Sequence, residues 1–200
     1  DDELHQIITR TVQQVLGSAV ASQSPAEQNQ PHPEPAPVLP AASPVVKKVV
    51  AIGTDHGGVD LKEILKSEIT ELGYAVVDCG TNTKDAVDYP DIALAVAKLV
   101  ADGSAWRGVI IDGAGVGSCM SANKVPGVRA AMCYDHATAV NSREHNDANV
   151  LTLGAGLIGV TLAKQILKTW LATDFGGGRH AKRVDKISAI EKLYAKEGKN

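Results

Sequence analysis

From residue 47 onward, short apolar runs alternate with stretches whose apolar residues recur every three or four positions. Val49–Ile52, Tyr74–Val77, Gly108–Ile111, Val128–Cys133 and Val150–Leu153 read as strands. Leu61–Leu72, Ile92–Ala101, a segment through Met120, His136–Glu144, Gly159–Thr173 and Lys182–Lys196 carry helical spacing. Between the second strand and the second helix the chain runs as a loop through Asp88, Tyr89 and Pro90. Strict alternation of strand and helix predicts an α/β domain. It is an open parallel five-stranded sheet with helices on both faces.

The first 46 residues follow a different pattern. Leu4, Ile7, Ile8, Val12, Val15 and Leu16 form a helical stripe over residues 1–17. Asp1, Asp2 and Glu3 suit the positive end of that helix, and Gly17 is a natural stop. An isolated helix of this length is marginal in water, so the stripe calls for a partner. Seven of the chain's nine prolines lie in the Ala-, Gln- and Ser-rich stretch that follows. Residues 18–46 therefore read as an extended, disordered linker, with a reach on the order of 30 Å.

Composition narrows the function classes. The chain has 200 residues, a formal net charge of −3, and only four Tyr, two Trp and one Phe. That gives no basic, aromatic surface for nucleic acid. Cys79, Cys119 and Cys133 are odd in number and lack CxxC spacing, which fits free thiols rather than a disulfide frame or a zinc site. No apolar run approaches the roughly 20 residues of a bilayer span, and the acidic start lacks a signal-peptide core. A soluble protein of the cytoplasm, with no membrane partner, is the expectation.

In such sheets ligands sit beyond the carboxyl ends of the strands. Asp55 and His56 follow the first strand, and Asp112 the third; Asp135 and His136 follow the fourth, and Gly154–Gly156 the fifth. The stretch VIIDGAGVGSCMSANKVPGVR (109–129) is the richest in chemistry. Its glycines at 113, 115 and 117 leave backbone N–H groups unshielded, which suits an anion. A carboxylate beside such a nest places a base and oxyanion donors together. Equally, Asp112 can be a helix cap, with Ser118 or Cys119 moving the proton.

The segments GTDHGGVDLK (53–62), DYPD (88–91), DGAGVG (112–117), ANKVPGVRAA (122–131), SREHNDANVLTLG (142–154) and GGRHAKRVDKI (177–187) occur in this order. Together they resemble the type B ribose-5-phosphate isomerases and galactose-6-phosphate isomerase subunits. The resemblance covers about residues 48–192 and implies the Rossmann-like form of the sheet. It also implies aldose–ketose isomerisation of a phosphosugar through a cis-enediolate, without metal or cofactor. A homodimer, possible also as a tetramer, would complete each site with residues from its neighbour. By motif, Asp112 would be the base, and Asp55 and His56 would contact sugar hydroxyls and help to open the ring. Tyr89 would line the pocket. His145 would be the ring-opening acid/base, with Asn146 beside it. The backbone of Gly113, Ala114, Gly115, Gly117 and Ser118 would hold the enediolate oxygen, with Asn123 also on the substrate. Arg179 and Arg183 of the neighbour would grip the phosphate, with His180 nearby.

The residues themselves agree with these roles. A histidine titrates near neutrality, and two arginines four apart can face one phosphate. Each also has a plainer reading. Tyr89 can be core packing, His145 a satisfied structural histidine, and the 179–183 segment a solvated basic turn.

Departures from the family pattern matter as much. Many members have a cysteine where this chain has Asp112, and others a glutamate where it has Ser118. Ala114 stands in place of a common Thr or Ser, and Gly156 in place of a frequent arginine. VIIDGAGVGSCMSANK is nearer to the A subunit of galactose-6-phosphate isomerase, whereas His56 and SREHN keep the features of a complete site. Three functions follow as readings: an isomerase of ribose 5-phosphate and ribulose 5-phosphate, the same chemistry on a six-carbon or deoxy phosphosugar, and a silent sugar-phosphate-binding scaffold. Residues 1–17, on their linker, resemble the encapsulation peptides that dock enzymes into bacterial microcompartments. That implies a shell-protein partner and a place in the microcompartment lumen. The alternative is a helix packed on its own domain or a sister subunit.

Overall fold

The computed structural model describes residues 47–195. The helix and linker expected over 1–46 lie outside the described residues. Strands β1 (Val49–Thr54), β2 (Ala75–Asp78), β3 (Arg107–Asp112), β4 (Ala130–Met132) and β5 (Val150–Gly154) form one parallel sheet in the order β2-β1-β3-β5-β4. In register, Thr54 lies opposite Ile111 and Asp112 opposite Gly154. The three central strands are buried almost throughout, because helices cover both faces. The edge strands β2 and β4 are only half-buried or exposed.

Alternate residues feed two cores. Val50, Ile52, Val109, Ile111, Leu151 and Leu153 pack against Leu65 and Ile69 of α1 (Val59–Glu71) and Ile166, Leu167 and Trp170 of α5 (Val160–Ala172). On the other face, Ala51 and Ile110 meet Ala93, Val96, Ala97 and Val100 of α2 (Tyr89–Ala101), and Ala122 of α3 (Val116–Ala122). The helix after β1 and the helix after β3 therefore leave on opposite faces. That divergence opens a crevice at the carboxyl ends of β1 and β3, where such folds bind ligands.

Several boundaries differ from the sequence reading. Tyr89 opens α2 rather than lying in a loop; Pro90, in the first turn, has a fixed φ that suits that position. The fourth strand shortens from Val128–Cys133 to Ala130–Met132, as expected of a sheet edge. α4 (His136–Glu144) begins where expected, because Asp135 and Thr138 form a capping box. The last helix is α6 (Ala181–Tyr194), in which Val184 is the buried residue. Lys62, fully buried on α1, ties the β2–α2 loop to the crevice. Its ammonium donates to Asp78, the Thr81 carbonyl and Asn82 at 2.6–2.9 Å.

Candidate active site

Two groups of polar side chains stand at opposite ends of the sheet. At the carboxyl ends, β1 delivers Asp55, whose Oδ1 accepts the Gly57 N–H at 2.9 Å, and β3 delivers Asp112. The Asp55 N–H donates to the Ile111 carbonyl at 3.2 Å, which draws the two loops together. His56 is exposed, and its Nδ1 accepts the Val87 N–H at 3.4 Å. Two residues beyond Val87, the Tyr89 ring lies over Gly117. A Cβ there would come within 2.5 Å of the ring and 2.8 Å of the hydroxyl. Tyr89 is 40% exposed and forms a wall of the crevice, not a core contact.

Asp112 is 4% exposed and turns back under its own loop. Oδ1 accepts the N–H groups of Ala114 (2.8 Å) and Gly115, and Oδ2 accepts that of Ser118 (3.0 Å). Burial pushes this carboxyl upward. The neighbouring Ser118 side chain and the N–H groups of Gly115, Ser118 and Ala114 outweigh it and hold the pKa below the ordinary value. The Ser118 hydroxyl itself is fully buried and makes no hydrogen bond of good geometry. The loop is thus divided between two tasks. Three of its N–H groups serve Asp112, while those of Gly113, Val116 and Gly117 have no acceptor among the described residues. Oδ2, with one donor, keeps a lone pair for a substrate proton.

The second group gathers at the amino ends of the strands. α4 begins beyond the carboxyl end of β4 and runs back along the sheet. His145, its C-cap, therefore lies at the other end. Asn149, four residues on, accepts the Gly108 N–H at 2.9 Å where β3 begins. With β3 lying between, His145 and Asp112 stand apart by roughly 20 Å, the length of six strand residues. Asn141 donates to His145 Nδ1 at 2.8 Å, which leaves the proton of the neutral ring on Nε2. Asn146 donates to the carbonyl and side chain of Asn141 at 3.2 and 3.1 Å. The His180 ring stacks on that of His145, with centroids 4.1 Å apart and planes 5° from parallel. Arg179 Nε lies 3.4 Å from His180 Nε2. Burial, with His145, Arg179 and Arg183 nearby, lowers the His180 pKa.

One chain therefore does not bring the expected catalytic residues together. Asp55, His56, Tyr89 and Asp112 form one half; His145, Asn146, Arg179, His180 and Arg183 form the other. Asn123 is engaged within its own subunit. Its amide donates to the carbonyls of Cys119 (3.0 Å) and Ala130 (2.9 Å), and its Oδ1 accepts the Ala130 N–H at 2.9 Å. Both amide hydrogens are thus used at the junction of α3 and β4, while Oδ1 keeps one lone pair. Cys119 likewise points at β4, its thiol 3.4 Å from the Ala130 carbonyl and pushed up by burial. Sequence reasoning missed Asn141, although its spacing of four from His145 on one helix was the available signal. Among the described residues no cluster of three or more His, Cys, Asp or Glu is placed to hold a metal, and no helix is long and apolar enough to cross a membrane.

Residues 50–187 match the Ribose/Galactose Isomerase family. The chain belongs to that family. Ribose-5-phosphate isomerase B of Escherichia coli is 44% identical over 144 residues, covering 72% of this chain and 97% of the relative. D-erythrulose-4-phosphate isomerase of Pectobacterium atrosepticum is 41% identical over 143 residues, 71% of this chain and 94% of the relative. Among solved structures, ribose-5-phosphate isomerase B of Clostridium thermocellum superposes with a TM-score of 0.73 at 50% identity. It covers 74% of this chain and 99% of its own. This member of the sugar isomerase family thus keeps the five-stranded parallel sheet of its relatives.

Proposed function

We propose that this protein interconverts an aldose phosphate and its ketose phosphate, ribose 5-phosphate and ribulose 5-phosphate first among them. Each working site combines the carboxyl-end half of one subunit with the amino-end half of a partner in a homodimer. The observation that carries this reading is the division of the polar groups. A base with oxyanion donors, and a cation cluster with an acid/base histidine, are each built but stand too far apart to act on one small sugar. A two-fold pairing of identical chains would bring one half of each to the other, twice. The edge strand β4 supports such pairing. Beside it lies a cleft of about 620 Å³, lined in part by Met132, Thr138, Asn141 and Asn146.

In this site Arg179 and Arg183 of the partner subunit hold the phosphate by charge-assisted bonds. His145 of the partner subunit, taken up as the imidazolium, gives its Nε2 proton to the ring oxygen as Asp55 accepts one from the O1 hydroxyl, and the proton on Asp55 returns to His145 through solvent before the next turnover. The carbon–oxygen ring bond breaks and the open aldehyde forms. Asp112 Oδ2 then takes the C2 proton, and the electron pair passes to O1 as the cis-enediolate. The free N–H groups of Gly113, Val116 and Gly117 stabilise that charge. Asp112 returns the proton to C1, and O2 becomes the ketone carbonyl once its hydroxyl proton passes to O1. His56 and Tyr89 orient the sugar hydroxyls. The activities named for the relatives, on a five-carbon and a four-carbon sugar phosphate, support the reaction class and leave chain length to the rim of the site.

Turnover on a panel of phosphosugars in both directions tests the reaction. Failure on every sugar, with binding retained, would establish a silent binder. Mixing Asp112→Asn and His145→Asn subunits tests the shared site. Each alone is expected to be nearly inactive, and exchange should restore about a quarter of wild-type activity, since half the dimers are mixed and each has one intact site. No restoration after proven exchange overturns the composite site. From the sequence alone, we also propose that residues 1–17 dock the enzyme to a microcompartment shell. Loss of co-purification with shells on deletion of residues 1–46 tests this.

A further inference from the structure

Beneath the amino-end half lies a side chain within the SREHN motif to which neither the resemblance nor the mechanism gives a role. Arg143, in the last turn of α4, is 5% exposed. Its Nη1 donates to Asp147 Oδ1 at 2.8 Å and to the Ala148 carbonyl at 2.5 Å, and its Nε donates to the Thr173 carbonyl at 3.3 Å. The first two partners close the turn that carries His145 and Asn146. The third starts the segment that carries Arg179 and His180. Asp147 is the one residue other than glycine at positive φ (46°) among those described. A second arginine, Arg129, clamps it there by donating to its carbonyl at 3.0 Å and its Oδ2 at 2.9 Å. A further tie runs between the same two segments, from the Gly176 N–H to the Glu144 carbonyl at 2.9 Å.

We infer that Arg143 is a positioning residue that holds the acid/base histidine and the phosphate-gripping segment in one fixed register. A buried guanidinium needs full pairing to be tolerated, and only a planar fork can reach Asp147, Ala148 and Thr173 at once. The register it sets is visible in the face-to-face packing of His145 and His180 at 4.1 Å. Arg107 is the internal contrast. It too donates to the Thr173 carbonyl, at 3.1 Å, as well as to those of Trp170 and Leu171, but it donates no hydrogen bond to the His145 turn.

This inference rests on the functional reading of the amino-end half, so the test separates the two. In Arg143→Lys the single ammonium can hold Asp147 or Thr173 but not both. The variant should raise the inhibition constant of inorganic phosphate about tenfold and lower kcat by a similar factor, as loss of a charge-assisted tie would. Arg107→Lys should weaken phosphate inhibition and leave kcat near wild type. A readout independent of turnover is the histidine titration followed by NMR, in which the depressed His180 value should return towards the ordinary one in Arg143→Lys. Should that variant fold poorly, Asp147→Asn keeps the turn and one hydrogen bond and should give smaller changes in the same three readouts. If only the melting temperature falls and the titration is unmoved, the positioning role is wrong. If Arg179→Ala and His145→Asn alter neither phosphate inhibition nor kcat, the functional reading fails instead, while the titration still decides the register.

Discussion

The two ends of this sheet are built from different materials. At the carboxyl ends the working surface is mostly main chain. A glycine-rich turn is folded around one buried carboxylate, with Tyr89 laid against Gly117. At the amino ends it is long side chains, two histidines and two arginines, propped from beneath by Arg143 and Asp147. The first arrangement is short-range and stiff, as stabilising charge on a reacting carbon requires. The second reaches outward and suits a phosphate on a flexible substrate. On the proposed function, chemistry and grip are separated in the chain and would be reunited by association.

The sharpest way to break this division is at Asp112. Asp112→Asn should lower kcat at least about a hundredfold, as expected on loss of a general base, and stop solvent deuterium entering C1 or C2. The Asn amide nitrogen would face the Ser118 N–H, so stability should also fall by about 1–3 kcal/mol for a buried donor left unpaired. Asp112→Cys separates the two effects: a thiolate can restore exchange in part but cannot rebuild the three N–H contacts. Exchange at the wild-type rate in Asp112→Asn would reduce the residue to a loop anchor.

A smaller effect is expected at the other end. Arg183→Ala should raise KM for a phosphosugar about tenfold, the order of one charge-assisted bond, and change little with the unphosphorylated sugar. Equal effects on both sugars would make the arginine structural. Smaller still is the acid response of the fold. The folded Asp112 pKa lies below its unfolded value, so its contribution is complete above the ordinary carboxylate range and lost as pH falls through the folded value. Melting curves of Asp112→Asn should therefore be flatter than wild type below about pH 4, the ordinary carboxyl pKa. The smallest effect is none. Removing residues 1–46, which hold none of the polar groups at either end, should leave kcat and melting unchanged.

Much of this was legible in the sequence. Central strands buried on both faces leave continuous apolar runs, so Val49–Ile52, Gly108–Ile111 and Val150–Leu153 fall inside β1, β3 and β5. Asp55 and Asp112 then had to sit at the carboxyl ends. The motif order, however, conceals direction. His145 is close to Asp112 in the family's list of roles but ends a helix that runs the other way. Local bookkeeping was equally hidden. Nothing in ANK says that both amide hydrogens of Asn123 go to backbone carbonyls, and nothing in DGAG says that Asp112 takes the N–H groups assigned to the enediolate. Those facts follow from which groups meet after folding.

The floor of the carboxyl-end site has a consequence for how this protein can change over time. A side chain at Gly154 would run into the Ala114 carbonyl at 2.6 Å, and one at Gly117 into Tyr89. Of the free main-chain donors, Gly117 can carry no side chain, and the side chain of Val116 is exposed. On the proposed function, adaptation to a longer or shorter sugar would fall to the walls, at His56, Tyr89 and the segment that the neighbouring copy would contribute. The chemistry is inherited as backbone shape, and substrate choice drifts around it.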